Sequence, residues 1–458
     1  MKRKIYEQLL QWKNESAPET ALLIEGARRV GKSWIVEEFA KREYRSYVLI
    51  DFNKVSKVVL DIFNEELGDL KVFFRKISEY FGVRLYEGET LFIFDEVQEF
   101  PRARAAIKYL VADGRYHFIE TGSLMSIAKN VTGIVIPSEE DSIKMHPLDF
   151  EEFLWATDRA NMIDVIKGHR RDLSPFGAVH RKIKEAFREY LVVGGMPQAV
   201  ACWAETHDLK KVEATKKRIL NLYRNDIRKH AGRYAMKAEA VFDEIPSQLQ
   251  EHDKKFRLAA IGADARMREY GDAFLWLKDA MIINIAYNSS EPTVGLKLSA
   301  EYSTLKCYMA DTGLLITHAF GSNPKALADI VRRVMFDSIS INEGMLIENV
   351  VAQMIVSQGI ELFFYARYDK KVAENRMEID FLIPDSKVTR RKHVSAVEVK
   401  SEKDYTTSSL DKFNRKYGKS VTSSYIIHPG DLCKREGVLY APIYMTPWLF
   451  KWVDDIDQ

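Results

Sequence analysis

The first third of the chain alternates short apolar runs with segments of helical period. ALLIE (21–25), SYVLIDF (46–52), TLFIF (90–94) and YHFIE (116–120) are near-continuous apolar runs with little polar alternation. Runs of that kind suit strands covered on both faces of a parallel sheet. Amphipathic stretches at 33–44, 71–81 and 103–112 fit between them, which predicts βαβ units with right-handed crossovers. From Asp149 to about His230 the strand pattern stops and helices take over, as in FEEFLWA and a basic stretch over 210–229. Beyond that, RMREYGDAFLWLKDA precedes INIAYN, a turn-rich NSSEP and an apolar run around CYMADTGLL, predicting helices followed by a hairpin. A last α/β segment opens with a helix near Asn342 and continues through FFYAR, EIDFLI, SAVEVKS, SSYIIHP and LYAPIYM.

At 458 residues the chain is too long for one core, and about two to four domains are expected. Apolar residues at 46% and charged residues at 29% exclude a disordered or fibrous chain. A net charge of +2 argues against a surface that is basic throughout and leaves room for a local basic patch. Cys202, Cys307 and Cys433 lie far apart, so neither a disulfide framework nor a zinc site is indicated. No leader-like or membrane-spanning apolar run is present, and the expected location is cytoplasmic, away from membranes.

Gly26-Ala27-Arg28-Arg29-Val30-Gly31-Lys32-Ser33 matches G-x-x-x-x-G-K-[ST], between an apolar run and a helix that continues through Trp34. Glycines let backbone N–H groups turn toward phosphate oxygens, and the helix N-terminus adds partial positive charge. In such a loop Lys32 reaches the β- and γ-phosphates of ATP and the Ser33 hydroxyl coordinates Mg²⁺. The alternative is a glycine turn with a solvated lysine. About sixty residues on, a buried run ends in Asp95 and Glu96. Asp95 can hold Mg²⁺ and Glu96 can orient the attacking water, unless both merely cap the next loop. Thr121 or Ser123, at the tip of the next run, can sense the γ-phosphate or simply mark a strand end.

These features resemble AAA-type P-loop ATPases. More narrowly, GARRVGKSW, LFIFDEVQ, ETGS, HPLDFEEFL, YLVVGGMPQAV and CYMADTGLL, in this order, look like bacterial and archaeal ATPases that carry a C-terminal domain of unknown function. The resemblance covers nearly the whole chain. It implies an α/β architecture with a P-loop AAA-type core over 1–160, a helical lid over 161–235, a winged-helix-like unit over 236–325 and a PD-(D/E)XK nuclease-like domain over 326–458. Many relatives have a Gly-Arg pair after the ETGS-like element; Val131-Thr132-Gly133-Ile134 stands there instead. A charge-neutralising arginine is therefore left unassigned, with Arg102, Arg104 and Arg115 as candidates.

In the last segment, period-two alternation sets Asp380 opposite Ile379 and Phe381, and sets Glu398 and Lys400 opposite Val397 and Val399. If the two strands pair, Asp380 and Glu398 can hold a divalent cation while Lys400 orients water or steadies charge on a phosphate. Glu348, on a small apolar helix face, can join them. Glu, Asp and Glu-x-Lys in this order resemble the PD-(D/E)XK nucleases; cross-strand ion pairing is the alternative. Lys387, Arg390, Arg391, Lys392 and His393 form a basic connection between the strands, a candidate for phosphate-backbone contact. Lys210, Lys211, Lys216, Lys217, Arg218, Arg224 and Arg228 read instead as a solvated helix face. The whole is expected to be an Mg²⁺-dependent ATPase coupled to a nuclease-like domain that acts on or binds nucleic acid, with a homo-oligomer possible. An ATP-dependent switch or scaffold with a non-catalytic last domain is the rival.

Overall fold

The computed structural model describes residues 1–123, 138–251, 253–293, 295–336, 343–369, 371–384, 393–402 and 404–450. Val131 to Ile134 and the basic connection from Lys387 to Lys392 lie outside the described residues. The chain divides into two compact units, Met1–His146 with Asp279–Met281, and the remainder from Pro147 onward.

The first unit is built on five parallel strands: β1 (Ala21–Glu25), β2 (Ser46–Asp51), β3 (Thr90–Asp95), β4 (His117–Gly122) and β5 (Glu140–Lys144), in the order β2-β3-β4-β1-β5. The apolar runs over 21–25, 46–52, 90–94 and 116–120 each became a strand within two residues at either end. Helices Lys32–Glu43, Leu70–Phe81 and Pro101–Ala112 likewise stand where the helical period placed them. β5 was missed: EDSIK carries no apolar run because it is an edge strand supported only by β1. Its Glu140 takes a bidentate pair from buried Arg104, at 3.0 and 2.6 Å, which ties the edge to helix Pro101–Ala112. Phe63, Phe73, Phe74, Phe92, Phe94 and Phe118 pack on one side of the sheet, with Phe63 and Phe73 edge to face at 5.0 Å. Because β1, β3 and β4 are parallel, their carboxyl ends bring Gly26, Glu96 and Ser123 to the same edge.

The second unit contains an eight-stranded mixed sheet. Its strands are β6 (Ile283–Ser289), β7 (Ala300–Met309), β8 (Phe363–Arg367), β9 (Met377–Pro384), β10 (Val394–Val399), β11 (Val421–His428), β12 (Cys433–Arg435) and β13 (Val438–Pro442), in the order β12-β13-β11-β10-β9-β8-β6-β7. The hairpin expected within 236–325 is there as β6 and β7, but it is not a free wing. β6 also pairs in parallel with β8, through Tyr287–Phe363 and Asn288–Phe364, so the hairpin extends the sheet of the C-terminal segment. β9 and β10 pair antiparallel, meeting the condition set for the carboxylates to approach, with Val397 opposite Phe381.

The quoted segments YLVVGGMPQAV and CYMADTGLL meet in this unit. Asp311 caps helix Thr312–Phe320, accepting from the Leu314 N–H at 2.8 Å and from the Gly195 N–H. Gly313 lies so close to the preceding turn that a Cβ there would stand 2.6 Å from Gly194 Cα. Lys216, grouped by its sequence with a solvated face, is instead buried and donates to Val192 O at 2.7 Å and Gly313 O at 3.2 Å.

Candidate functional site

The loop after β1 is shaped by backbone close approach. A Cβ on Gly26 would lie 2.5 Å from Met145 O, and Gly31 adopts φ 96° as it caps helix Lys32–Glu43. Ala27 and Val30 are buried while Arg28 and Arg29 point outward, Arg29 also with a left-handed φ of 71°. Arg3 braces the loop from below, donating to Val30 O at 2.9 Å and His146 O at 2.7 Å. Lys32 Nζ is folded back onto Gly26 O at 2.8 Å and Ala27 O at 3.3 Å. Burial pushes its pKa down, against the opposing pull of Glu96 and Asp95. A phosphate would relieve that burial cost and give the ammonium a stronger partner than two carbonyls.

Asp95 ends β3 and is buried. Ser33 Oγ donates to Asp95 Oδ1 at 2.7 Å, and the Thr121 hydroxyl donates to the same oxygen. Burial raises the Asp95 pKa, and these two hydroxyls hold it back. Thr121, from β4, also accepts the Glu96 N–H at 3.4 Å, so it fixes both acids from between β3 and β1. Glu96 has a left-handed φ of 53°, a conformation a non-glycine residue adopts at some cost, and Gln98 donates to its carboxylate. A hydroxyl and a carboxylate side by side are the hard oxygens Mg²⁺ takes, so the donor set fits that ion.

Trp34 follows directly and is 45% exposed. It lines a cavity of about 530 Å³ with Arg3, Tyr6, Leu10, Ile35 and Arg42. The contribution of helix Ile5–Glu15 was missed; an amphipathic helix carrying Tyr6 and Trp12 just ahead of β1 was the available signal. None of the candidate arginines is available in this unit: Arg104 holds Glu140, Arg115 holds Asp113 at 2.6 and 2.9 Å, and Arg102 donates to Phe63 O and Asn64 O.

The C-terminal carboxylates are brought near one another, but on different terms from those expected. Glu348 and Asp380 are bridged by Lys306 Nζ, at 3.2 and 3.3 Å. Lys254 and the Tyr308 hydroxyl, the latter at 2.6 Å, also hold Glu348, and the Val399 N–H reaches Asp380 Oδ2 at 2.9 Å. Burial works against charge on both partners, yet the lysines hold the Glu348 carboxyl well below the usual range, and Lys306 stays charged among the carboxylates. Glu398 pairs with Lys400 at 2.9 Å. Asp380 and Glu398 are the expected cation ligands; here Asp380 is engaged by Lys306 and Glu398 by Lys400, and among the described residues no group of three or more His, Cys, Asp or Glu is placed to hold a metal. Lys306, Lys254 and Tyr308 were missed. The signal was Lys306 and Tyr308 two residues apart in the buried second half of the strand, among Leu305, Cys307 and Met309.

Burial pushes the Glu398 carboxyl up to about 7, against the pull of Lys400. A carboxyl whose folded pKa lies above its unfolded one favours folding at low pH, and that contribution is lost as pH rises through about 7. Glu398→Gln is therefore expected to flatten the fall in Tm between about pH 4.5 and 7.5, the interval between the ordinary and the raised pKa, a difference of about a few degrees by thermal unfolding. An unchanged slope would place the titration elsewhere.

A phosphate-binding loop, an acidic strand end and a parallel sheet of this order define a P-loop NTPase-like module. Residues 18–154 match the family model described as AAA domain, and the module is of the AAA type. Residues 184–325 and 343–445 match two domains of unknown function, DUF8612 and DUF4143. The uncharacterized protein MJ1637 of Methanocaldococcus jannaschii is 23% identical over 195 residues, 41% of this chain and 40% of that one. The chain thus spans about two fifths of the length of the curated relative it matches. Among solved structures, the Walker-type ATPase PABY2304 of Pyrococcus abyssi is 17% identical with a TM-score of 0.40, over 69% of this chain and 95% of that one. The Aeropyrum pernix ORC2 protein, in ADPNP-ADP complexes, is 10% identical with a TM-score of 0.38, over 72% and 93%. At these TM-scores neither superposition bears on the arrangement of this chain. No described helix is long and apolar enough to cross a membrane.

Proposed function

We propose that the first unit hydrolyses ATP to ADP and phosphate. The observation that carries this is the 2.7 Å contact between Ser33 Oγ and Asp95 Oδ1, which joins the phosphate-binding loop to the acidic end of β3. Lys32 leaves the loop carbonyls for the β- and γ-phosphates, Ser33 and Asp95 hold Mg²⁺, and Glu96 orients the attacking water. When bound, Mg²⁺ neutralises charge on the β,γ-phosphate oxygens. The backbone N–H groups from Gly26 to Ser33 cradle the phosphates, Thr121 keeps both acids in register, and the cavity beside Trp34 receives the base. With Arg102, Arg104 and Arg115 engaged, a transition-state arginine would come from elsewhere in this chain or from a second copy in a homo-oligomer.

Phosphate release from ATP and Mg²⁺ by the purified chain, with Lys32→Ala as the blank, tests this reading. Release no faster than the blank overturns it. Of the two readings of the C-terminal half, a nuclease under ATP control and an ATP-dependent switch or scaffold that binds nucleic acid or protein without cutting, the Lys306 bridge favours the second.

A further inference from the structure

Three carboxylates, Glu348, Glu378 and Asp380, face one another across β9 and helix Glu343–Val356 in the second unit. All six of their oxygens are engaged. Glu348 Oε1 takes Lys306 and Tyr308, and its Oε2 takes Lys254. Glu378 Oε1 takes Lys306 at 2.8 Å and its Oε2 takes Lys255 at 3.5 Å. Asp380 Oδ1 takes Lys306 and its Oδ2 the Val399 N–H. Three carboxylates are thus met by three ammonium groups, Lys255 being shared with Asp253 at 3.6 Å, and Lys306, 1% exposed, touches all three carboxylates as a central cation would.

A divalent cation added to this set would leave two uncompensated positive charges at a buried position, and it would find no free carboxylate oxygen. The partners also divide by origin. The lysines come from the segment over 184–325 and the carboxylates from the segment over 343–445. Lys306 reaches its place because β7 joins the sheet through β6, and its period-two alternation turns Lys306 and Tyr308 to the same side.

We propose that Lys306 occupies the place a divalent cation would take, so that this carboxylate cluster is a metal-free ionic junction supplied with its cations by the preceding segment. The inference concerns the nuclease-like half alone and stands or falls independently of ATP hydrolysis. Mn²⁺ is the probe, titrated by paramagnetic resonance into nucleotide-free full-length protein. Wild type and Asp380→Asn are expected to give the same titration. Lys306→Met, which removes the central charge and leaves three carboxylates facing a gap, is expected to gain Mn²⁺ affinity by about tenfold or more. Lys306→Met combined with Asp380→Asn should lose that gain. A Mn²⁺ equivalent bound by wild type and lost in Asp380→Asn overturns the proposal, as does a folded Lys306→Met that gains nothing. Should Lys306→Met not fold, the comparison of wild type with Asp380→Asn decides.

Discussion

Glu96→Gln is expected to slow ATP hydrolysis by about 10²–10⁴-fold while nucleotide still binds, the usual range for removing a positioned general base. The expectation follows from placement. Glu96 sits one residue past Asp95, and its N–H reaches the Thr121 hydroxyl that also holds Asp95. Its left-handed φ turns the chain sharply at the end of β3, a strained conformation suited to presenting a carboxylate at the sheet edge. Glutamine keeps the size and can keep the contact with Gln98, so the loop should hold its shape and only the proton acceptor is lost. The effect should therefore fall on kcat, with KM unchanged or lower, as measured by phosphate release and by fluorescent-nucleotide binding. An unchanged kcat would remove Glu96 from the path of the water.

Gly313→Ala is expected to destabilise the second unit by about 3–5 kcal/mol, a large effect for one methyl group. The added Cβ would stand 2.6 Å from Gly194 Cα, Gly194 N and Val193 O, all backbone atoms that cannot rotate away. Relief would require helix Thr312–Phe320 and its Asp311 cap to back off, which would break the bond from the Gly195 N–H to Asp311. Gly168→Ala is the control. It lies inside helix Asn161–Asp172 with nothing within 4 Å of the new Cβ, so it should stabilise by about 0.5–1 kcal/mol. Urea denaturation separates the two outcomes. Near-wild-type stability for Gly313→Ala would mean that the helix can shift.

The nucleotide module was legible because its parts are local. A glycine loop between a strand and a helix, and an acidic pair at a strand end, carry their own context within about ten residues of sequence. What escaped in that unit was what lacked local pattern: the polar edge strand β5, and the reach of Arg3 to Val30 O across 27 residues. In the second unit the alternation correctly placed Asp380 on the polar side of β9, and the pairing with β10, which the sequence left as a condition, is present. It could not supply the cations, because Lys254 lies 94 residues and Lys306 42 residues before Glu348, on elements that only the sheet brings together. The hairpin β6–β7 was recognised as a hairpin, yet its pairing with β8 rests on one short register of two residue pairs that no pattern announces. YLVVGGMPQAV and CYMADTGLL, separate in sequence, acquire a physical reason once Gly194 and Gly313 are seen backbone to backbone.

The origin of the charges around Lys306 bears on how such chains can be assembled and rearranged. The segment with the carboxylates and the segment with the lysines are each matched as a domain, yet neither is electrically complete. Transferred without its neighbour, the later segment would carry three carboxylates stripped of their counter-ions and an uncovered strand edge on β8. A lineage that separates the two must meet that charge by other means, and a captured divalent cation is the simplest. The pair is therefore inherited most easily as one piece.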